Sequence, residues 1–191
     1  MADFETALAV ALGPEGTYAN ESADPGGETY RGISRVYWPD WKAWYEIDII
    51  KRGFTTLAEV RAALKANKGF LDKEVGAFYY RNFWARFAGD AVASQAIANE
   101  LLEEAINLDV PFAVRNLQFS ANALNLYGKR WPDLVVDGKA GRKTLAVIAA
   151  IEDAGMTSDV LMAMNIEQGH YYLKSRNEAY IRGWLGQRVE L

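Results

Sequence analysis

Glu15, Asp24 and Glu28 are the carboxylates whose types and spacing invite chemistry. They sit in the stretches Glu15-Gly16-Thr17-Tyr18 and Ala23-Asp24-Pro25-Gly26-Gly27-Glu28-Thr29, followed by Gly32-Ile33-Ser34. A short helical pattern ends just before Glu15, so a carboxylic acid falls at a helix end, nine residues ahead of an aspartate, in a segment rich in turn formers. That layout suits two-carboxylate chemistry on a glycosidic bond, in which one group protonates the leaving oxygen and the other handles water or charge. A general acid must hold its proton near neutral pH, which requires partial burial against apolar or aromatic groups. Tyr18 and the tryptophans downstream are candidates for that role. Asp24 precedes Pro25, where its side chain can also simply order an Asx turn. Glu28, in Gly-Gly-Glu-Thr, is the rival second carboxylate.

The elements that must position these groups are read from apolar periodicity. Phe4, Ala7, Leu8, Ala11 and Leu12 recur at the spacing of an amphipathic helix, with Asp3 as N-cap and Gly13-Pro14 as the stop. From Asn20 to Thr29 the Pro, Gly and Asx content predicts turns with short extended pieces, the one β-like region of the chain. After Pro39, the spacing of Trp41, Trp44, Tyr45 and Asp48 predicts a helix with these residues on one face. Thr56-Leu57-Ala58-Glu59 reads as a capping box. Further helices are expected near 72–87, 90–107, 110–127, 141–154 and 158–185, with no long linker between parts. The fold class is therefore mainly α, one helical body with a small turn-rich or β-like segment near the candidate site. Most aromatic residues are expected in the core, including Phe78, Phe83, Trp84 and Phe87; Tyr18 and Tyr30 are the two placed beside the cleft. His170, ahead of Tyr171-Tyr172 within a helix, is read as a half-buried structural histidine.

Composition excludes several classes. The 191 residues carry a net charge of −4, no cysteine and a single histidine. A histidine-rich zinc site is thereby ruled out, and no metal or other cofactor is expected. The absence of a basic excess argues against nucleic acid as a partner. The apolar run from Ala7 to Leu12 is too short for a signal-peptide core or a membrane span, so neither an export leader nor stable membrane insertion is expected.

The quoted motifs resemble the signature of glycoside hydrolase family 108, the N-acetylmuramidases of phage endolysins and of bacterial proteins labelled secretion activators. They are also similar to the Glu, eight residues, Asp, five residues, Thr pattern of small phage lysozymes. Glu15 and Asp24 keep the first of those spacings, and Thr29 comes one residue early. Thr17 stands where the family has a second glycine, and Asn20-Glu21-Ser22 where it has Asn-Asp-Pro. The resemblance implies a lysozyme-like helical fold with Glu15 as general acid. By the same resemblance Asp24 positions water or stabilises the oxocarbenium-like transition state, and Thr29 holds the water. Tyr18, Glu28 and Tyr30 fall beside the implied cleft. Asn107 resembles the family's Val-Asn position, where an amide can bond an N-acetyl group, although Leu108 replaces the following glycine and helix-terminal capping is the role favoured by the residue's place.

The second half carries its own pattern. Leu117-Gln118, Val136-Asp137-Gly138 and Gly141-Arg142-Lys143-Thr144-Leu145 resemble the Leu-Gln, Asp-Gly, Gly-x-x-Thr pattern of helical peptidoglycan-binding modules. Physically, Asp137-Gly138 makes a tight turn and Thr144 lies in the first turn of a helix, which accounts for the motif without a ligand. Gly183-Trp184 ahead of Arg188 resembles the family's C-terminal ending. The implied organisation is a muramidase module over 1–90 with a helical peptidoglycan-binding module over 91–191 packed against it.

The function implied is hydrolysis of the β-1,4 bond between N-acetylmuramic acid and N-acetylglucosamine. Peptidoglycan is the partner, and the protein is expected to act as a monomer. An enzyme made in the host cytoplasm without a leader would reach the periplasm or wall with the help of a holin if phage-encoded. A lytic transglycosylase and a non-catalytic wall-binding or secretion-activating protein are the rival readings. Inversion requires a carboxylate separation of roughly 6.5–9.5 Å and retention one of roughly 5 Å, a choice that spacing in sequence leaves open.

Overall fold

The computed structural model describes residues 1–13, 18–20, 27–175, 181–183 and 185–186. Its elements run α1 (Phe4–Leu12), β1 (Tyr18–Ala19), β2 (Thr29–Tyr30), β3 (Ile33–Ser34), α2 (Ala43–Lys51), α3 (Leu57–Ala66), α4 (Lys68–Asn82), α5 (Gln95–Asn107), α6 (Val110–Leu124), α7 (Arg142–Asp153) and α8 (Thr157–Ser175), with short 3-10 turns at Trp84–Phe87 and Gly89–Ala91. The chain divides into two compact units, one of Leu12–Tyr79 and one of Met1–Ala11 with Tyr80–Leu191.

In the first unit the three strands form an antiparallel sheet in the order β1-β2-β3. Tyr18 faces Tyr30 and Ala19 faces Thr29 across the first pair, and Tyr30 faces Ile33 across the second. Because side chains alternate along a strand, this register puts Tyr18, Tyr30 and Ile33 on one face. All three are buried. Tyr30 stacks on Trp41, and Tyr79 from α4 donates its hydroxyl to the Arg31 carbonyl at 2.8 Å, closing the turn between β2 and β3 onto the helix. The capping box of α3 is present: the Glu59 N–H donates to Thr56 Oγ1 at 3.2 Å and the Thr56 N–H donates back to Glu59 Oε2 at 3.0 Å. In α2 the buried side is Ala43, Trp44 and Ile47, while Tyr45 is exposed. The expected aromatic face is corrected here: Trp44 packs inward, while Tyr45, about 100° further around the helix, points to solvent.

In the second unit α5, α6 and α8 pack against one another, and α7 joins α6 and α8. Asp3 caps α1 as its position suggests, accepting from the Thr6 N–H at 2.8 Å. The same end is tied to the α5 region: the Ala2 N–H donates to the Val92 carbonyl, and the Asp3 N–H donates to Gln95 Oε1 at 2.7 Å. Phe4 lies edge-on to Tyr80 and Trp84. Trp84 is fully buried with its indole N–H donating to Asp90 at 2.8 Å, and Gly89 is required beneath it, since a Cβ there would come within 2.3 Å of the ring. His170 is exposed, not half-buried; on α8 it is the neighbouring Gln168, Gly169 and Tyr172 that face inward.

The Leu-Gln, Asp-Gly, Thr pattern is an internal fastening. Leu117 is buried, and Gln118 next to it reaches from α6 into the loop before α7. Its Nε2 donates to Asp137 Oδ1, the Lys139 carbonyl and Thr144 Oγ1 at 3.1–3.2 Å, and its Oε1 accepts from the Gly138 N–H at 2.9 Å. Gly138 has a φ of +74°, and a Cβ there would stand 2.8 Å from the Pro111 carbonyl oxygen, so two independent constraints select glycine.

Candidate functional site

The described part of the candidate site is built around Glu28, the residue just before β2. Its side chain is 11% exposed and both oxygens are engaged. Oε1 accepts from the Tyr18 hydroxyl at 2.7 Å and from Lys51 Nζ at 2.5 Å. Oε2 lies 2.9 Å from Arg35 Nε, an ion-pair approach without the in-line geometry of a hydrogen bond. Arg35 follows β3 and turns its two terminal nitrogens onto Asp48 of α2, at 3.0 and 2.8 Å. Its guanidinium also lies over the Trp44 ring, 4.5 Å from the centroid. Lys51 completes the circuit 3.7 Å from Asp48 and 5.8 Å from the centre of the Tyr18 ring. Two carboxylates thus meet two cations, and a network with no net charge ties the sheet to α2.

The electrostatics follow from that arrangement. Burial raises the Tyr18 hydroxyl, reinforced by its bond to Glu28. Burial works against the charge of Lys51, but its bonds to Glu28 and Tyr18 outweigh this and lift the ammonium above its ordinary value. Burial likewise opposes the Arg35 charge, and the Asp48 hydrogen bond and the Glu28 charge more than restore it. The Arg35 hydrogen bonds in turn hold Asp48 below the usual carboxylate range. Both cations stay charged across the whole range in which the protein is expected to work.

Of the residues singled out from sequence, Tyr18, Glu28, Thr29 and Tyr30 are brought together by the β1-β2 pairing. Thr29 is half-buried on the face opposite Tyr30. Tyr18 is 2% exposed and Tyr30 1%, so neither ring presents an open face for stacking on a sugar. The pleat that pairs them across the sheet also turns both rings into the core. Asn107 ends α5 in the other unit, where its Nδ2 donates to Glu103 at 3.4 Å. Glu15 and Asp24 lie outside the described residues, as do Trp184 and Arg188. What is described is the chain on either side of them: Tyr18 begins β1 three residues after Glu15, and Glu28 is fixed four residues after Asp24.

Sequence reasoning missed Arg35, Asp48 and Lys51. They come from 7 to 23 residues downstream of Glu28, on a turn and a helix whose docking onto the sheet only the fold defines. The one available signal was Asp48 and Lys51 at i, i+3 on α2. Further hydrogen bonding extends the anchor, since Arg61 of α3 donates to the Tyr18 carbonyl at 2.8 Å.

Comparison with known proteins adds to this geometry. The family model described as Glycosyl hydrolase 108 matches residues 8–108, and the one described as Predicted Peptidoglycan domain matches residues 112–189. Among solved structures the chain is similar to Brucella abortus SagA, with a TM-score of 0.58 and 23% identity over 96% of this chain and 88% of that one. That likeness carries the fold, and the mainly helical, lysozyme-like architecture with its small sheet is the one expected from the sequence. No curated protein matches the chain.

Proposed function

Because this chain belongs to the glycosyl hydrolase 108 family and carries a C-terminal peptidoglycan domain, we propose that it hydrolyses the β-1,4 bond between N-acetylmuramic acid and N-acetylglucosamine in peptidoglycan. Glu15 donates its proton to the glycosidic oxygen as the bond to the muramoyl anomeric carbon breaks. Water adds to that carbon, with Asp24 receiving its proton or stabilising the developing positive charge and Thr29 orienting the water. The second half of the chain holds the enzyme on its polymeric substrate.

The observation that carries this reading is the clamp on Glu28. Tyr18, Lys51 and Arg35 occupy both of its oxygens, which supports a positioning role for Glu28 and, with it, the reading of Asp24 as the second carboxylate. The same clamp fixes the chain on both sides of the segment that carries Asp24, through the Tyr18–Glu28 bond and the strand register. Preorganisation of this kind is what catalysis requires of the chain that carries a reacting group, because displacement of that group by about 1 Å costs orders of magnitude in rate.

The test is clearing of purified peptidoglycan by wild type and by Glu15→Gln, with product masses. Wild type should release reducing muropeptides, and the amide variant should be slower by at least about 10²-fold, the lower scale for general acid catalysis. Anhydro-muramoyl products would mean internal attack by the muramoyl 6-hydroxyl, hence a lytic transglycosylase. Failure of wild type to clear from acid to mildly basic pH would leave a wall-binding protein.

A further inference from the structure

A groove of about 210 Å³ opens on the second unit, lined by Phe112, Arg115, Asn116 and Phe119 of α6, Val136 of the following loop and Glu167 of α8. Its walls are apolar and accessible: Phe119 is 50% exposed and Val136 43%. Tyr171, also exposed, continues the wall, its ring 4.8 Å from that of Phe112. Among the described residues the only charges lining it are one cation, Arg115, and one anion, Glu167, and neither has a hydrogen-bond or ion-pair partner there. Arg115 is nonetheless placed. Its Cγ and Nη1 lie 3.3 and 3.2 Å from where a Gly138 Cβ would stand, so the bare Cα of Gly138 forms the seat for its stem. The Gln118 fastening that fixes Gly138 therefore also fixes this guanidinium.

We infer that this groove is a subsite for the stem peptide of peptidoglycan, with Arg115 pairing a peptide carboxylate, Glu167 pairing a side-chain ammonium, and Phe112, Phe119 and Val136 covering the aliphatic stem between them. The inference rests on the reading that peptidoglycan is the substrate. The chemistry of the lining selects the peptide over the glycan. A sugar displays neutral hydroxyls and N-acetyl groups, which call for neutral donors and acceptors. The one neutral polar side chain here, Asn116, is already committed: its Nδ2 donates to Glu104 and to the Met164 carbonyl at 2.9 Å, and its Oδ1 accepts from Ser120. A stem peptide instead carries carboxylates and, at its diamino acid, an ammonium, on an aliphatic chain. The volume also lies below the about 300–1,000 Å³ of sites that enclose a drug-sized ligand, and so fits a side chain or two in preference to a disaccharide.

The experiment is calorimetric titration of the full chain with the soluble tetrapeptide alanyl-γ-glutamyl-diaminopimelyl-alanine, and separately with chitotetraose. The expected result is saturable peptide binding that Arg115→Gln and Glu167→Gln each weaken by about tenfold, the scale of one charge-assisted hydrogen bond. Arg115 is exposed and Glu167 half-buried, and neither holds a described hydrogen bond, so thermal midpoints should be unchanged. Absence of peptide binding, wild-type affinity in both variants, or competition by chitotetraose overturns the assignment. Clearing of peptidoglycan without peptide binding sinks the groove alone. Peptide binding without clearing sinks the hydrolase reading and leaves the groove.

Discussion

Replacement of Glu104 by glutamine should stabilise the protein at neutral pH and flatten its pH dependence. Glu104 lies on α5 and is fully buried. One carboxyl oxygen accepts from Asn116 Nδ2 at 2.5 Å, and the other, Oε2, has no hydrogen-bond partner. Burial, with the Glu100 charge nearby, pushes its pKa well above the ordinary glutamate value, against a smaller opposing contribution from Asn116. The folded protein therefore retains a proton that the unfolded chain has released. The stabilisation associated with this group is complete below the unfolded pKa near 4.5 and declines as pH rises, until the folded group itself titrates. Within that window each pH unit removes about 1.4 kcal/mol. For a chain of this length that is roughly 3–6 °C in thermal midpoint. Glutamine reproduces the neutral acid: its oxygen can accept from Asn116, its amide takes the place of Oε2, and the number of unpaired buried atoms does not rise. Thermal or urea unfolding of both proteins from pH 4 to 7.5 isolates the effect, because other titrating groups cancel in the difference. The curves should coincide near pH 4 and separate progressively above 4.5, with the variant the more stable. Parallel curves, or a variant less stable at every pH, would refute the idea that Glu104 is held protonated.

Asp24→Asn should lose more initial rate on peptidoglycan than Glu28→Gln, and the reverse order would hand the second carboxylate's role to Glu28. Glu28→Gln should act on stability instead, since it removes one of the two anions that Lys51 and Arg35 share and leaves them only Asp48; with both cations partly exposed, a loss of about 1–2 kcal/mol should be visible in urea unfolding. Gly138→Ala should cost roughly 1–3 kcal/mol, from the positive φ and the 2.8 Å approach to the Pro111 carbonyl, with melting temperature as the readout. A fragment of residues 1–89 should be poorly folded, because Phe4, Tyr80 and Trp84 pack with a unit whose α5–α8 it lacks, along with the Val92 and Gln95 partners of the N-terminus. A soluble fragment with its own cooperative melt by circular dichroism would contradict this.

Local signals carried much of the fold. The Asp3 cap of α1 and the Thr56–Glu59 capping box are each decided within a few residues, by hydrogen bonds that the backbone makes with its near neighbours. Such features are legible because distant chain does not compete with them. The Leu117-Gln118, Asp137-Gly138 and Thr144 pattern could be recognised from residue types, though that one glutamine amide fastens all of it is a tertiary fact. The carboxylates were visible as candidates for the same reason: residue type and spacing are properties of the sequence.

What each side chain faces was decided elsewhere. The sequence placed Tyr18 and Tyr30 beside a cleft, and the strand register turned both rings inward. It offered Glu28 as a second catalytic carboxylate, and the docking of α2 against the sheet surrounded it with Arg35, Lys51 and Tyr18. It gave Glu104 as one of several acids on a helix, and the packing of α5 against α6 and α8 buried that one alone to completion. Charge, protonation and exposure depend on which groups lie within a few ångströms and how much water remains there, and those neighbours come from segments far apart in the chain. Residue identity determines which chemistry is available; only the tertiary structure determines which of the available groups is free to perform it.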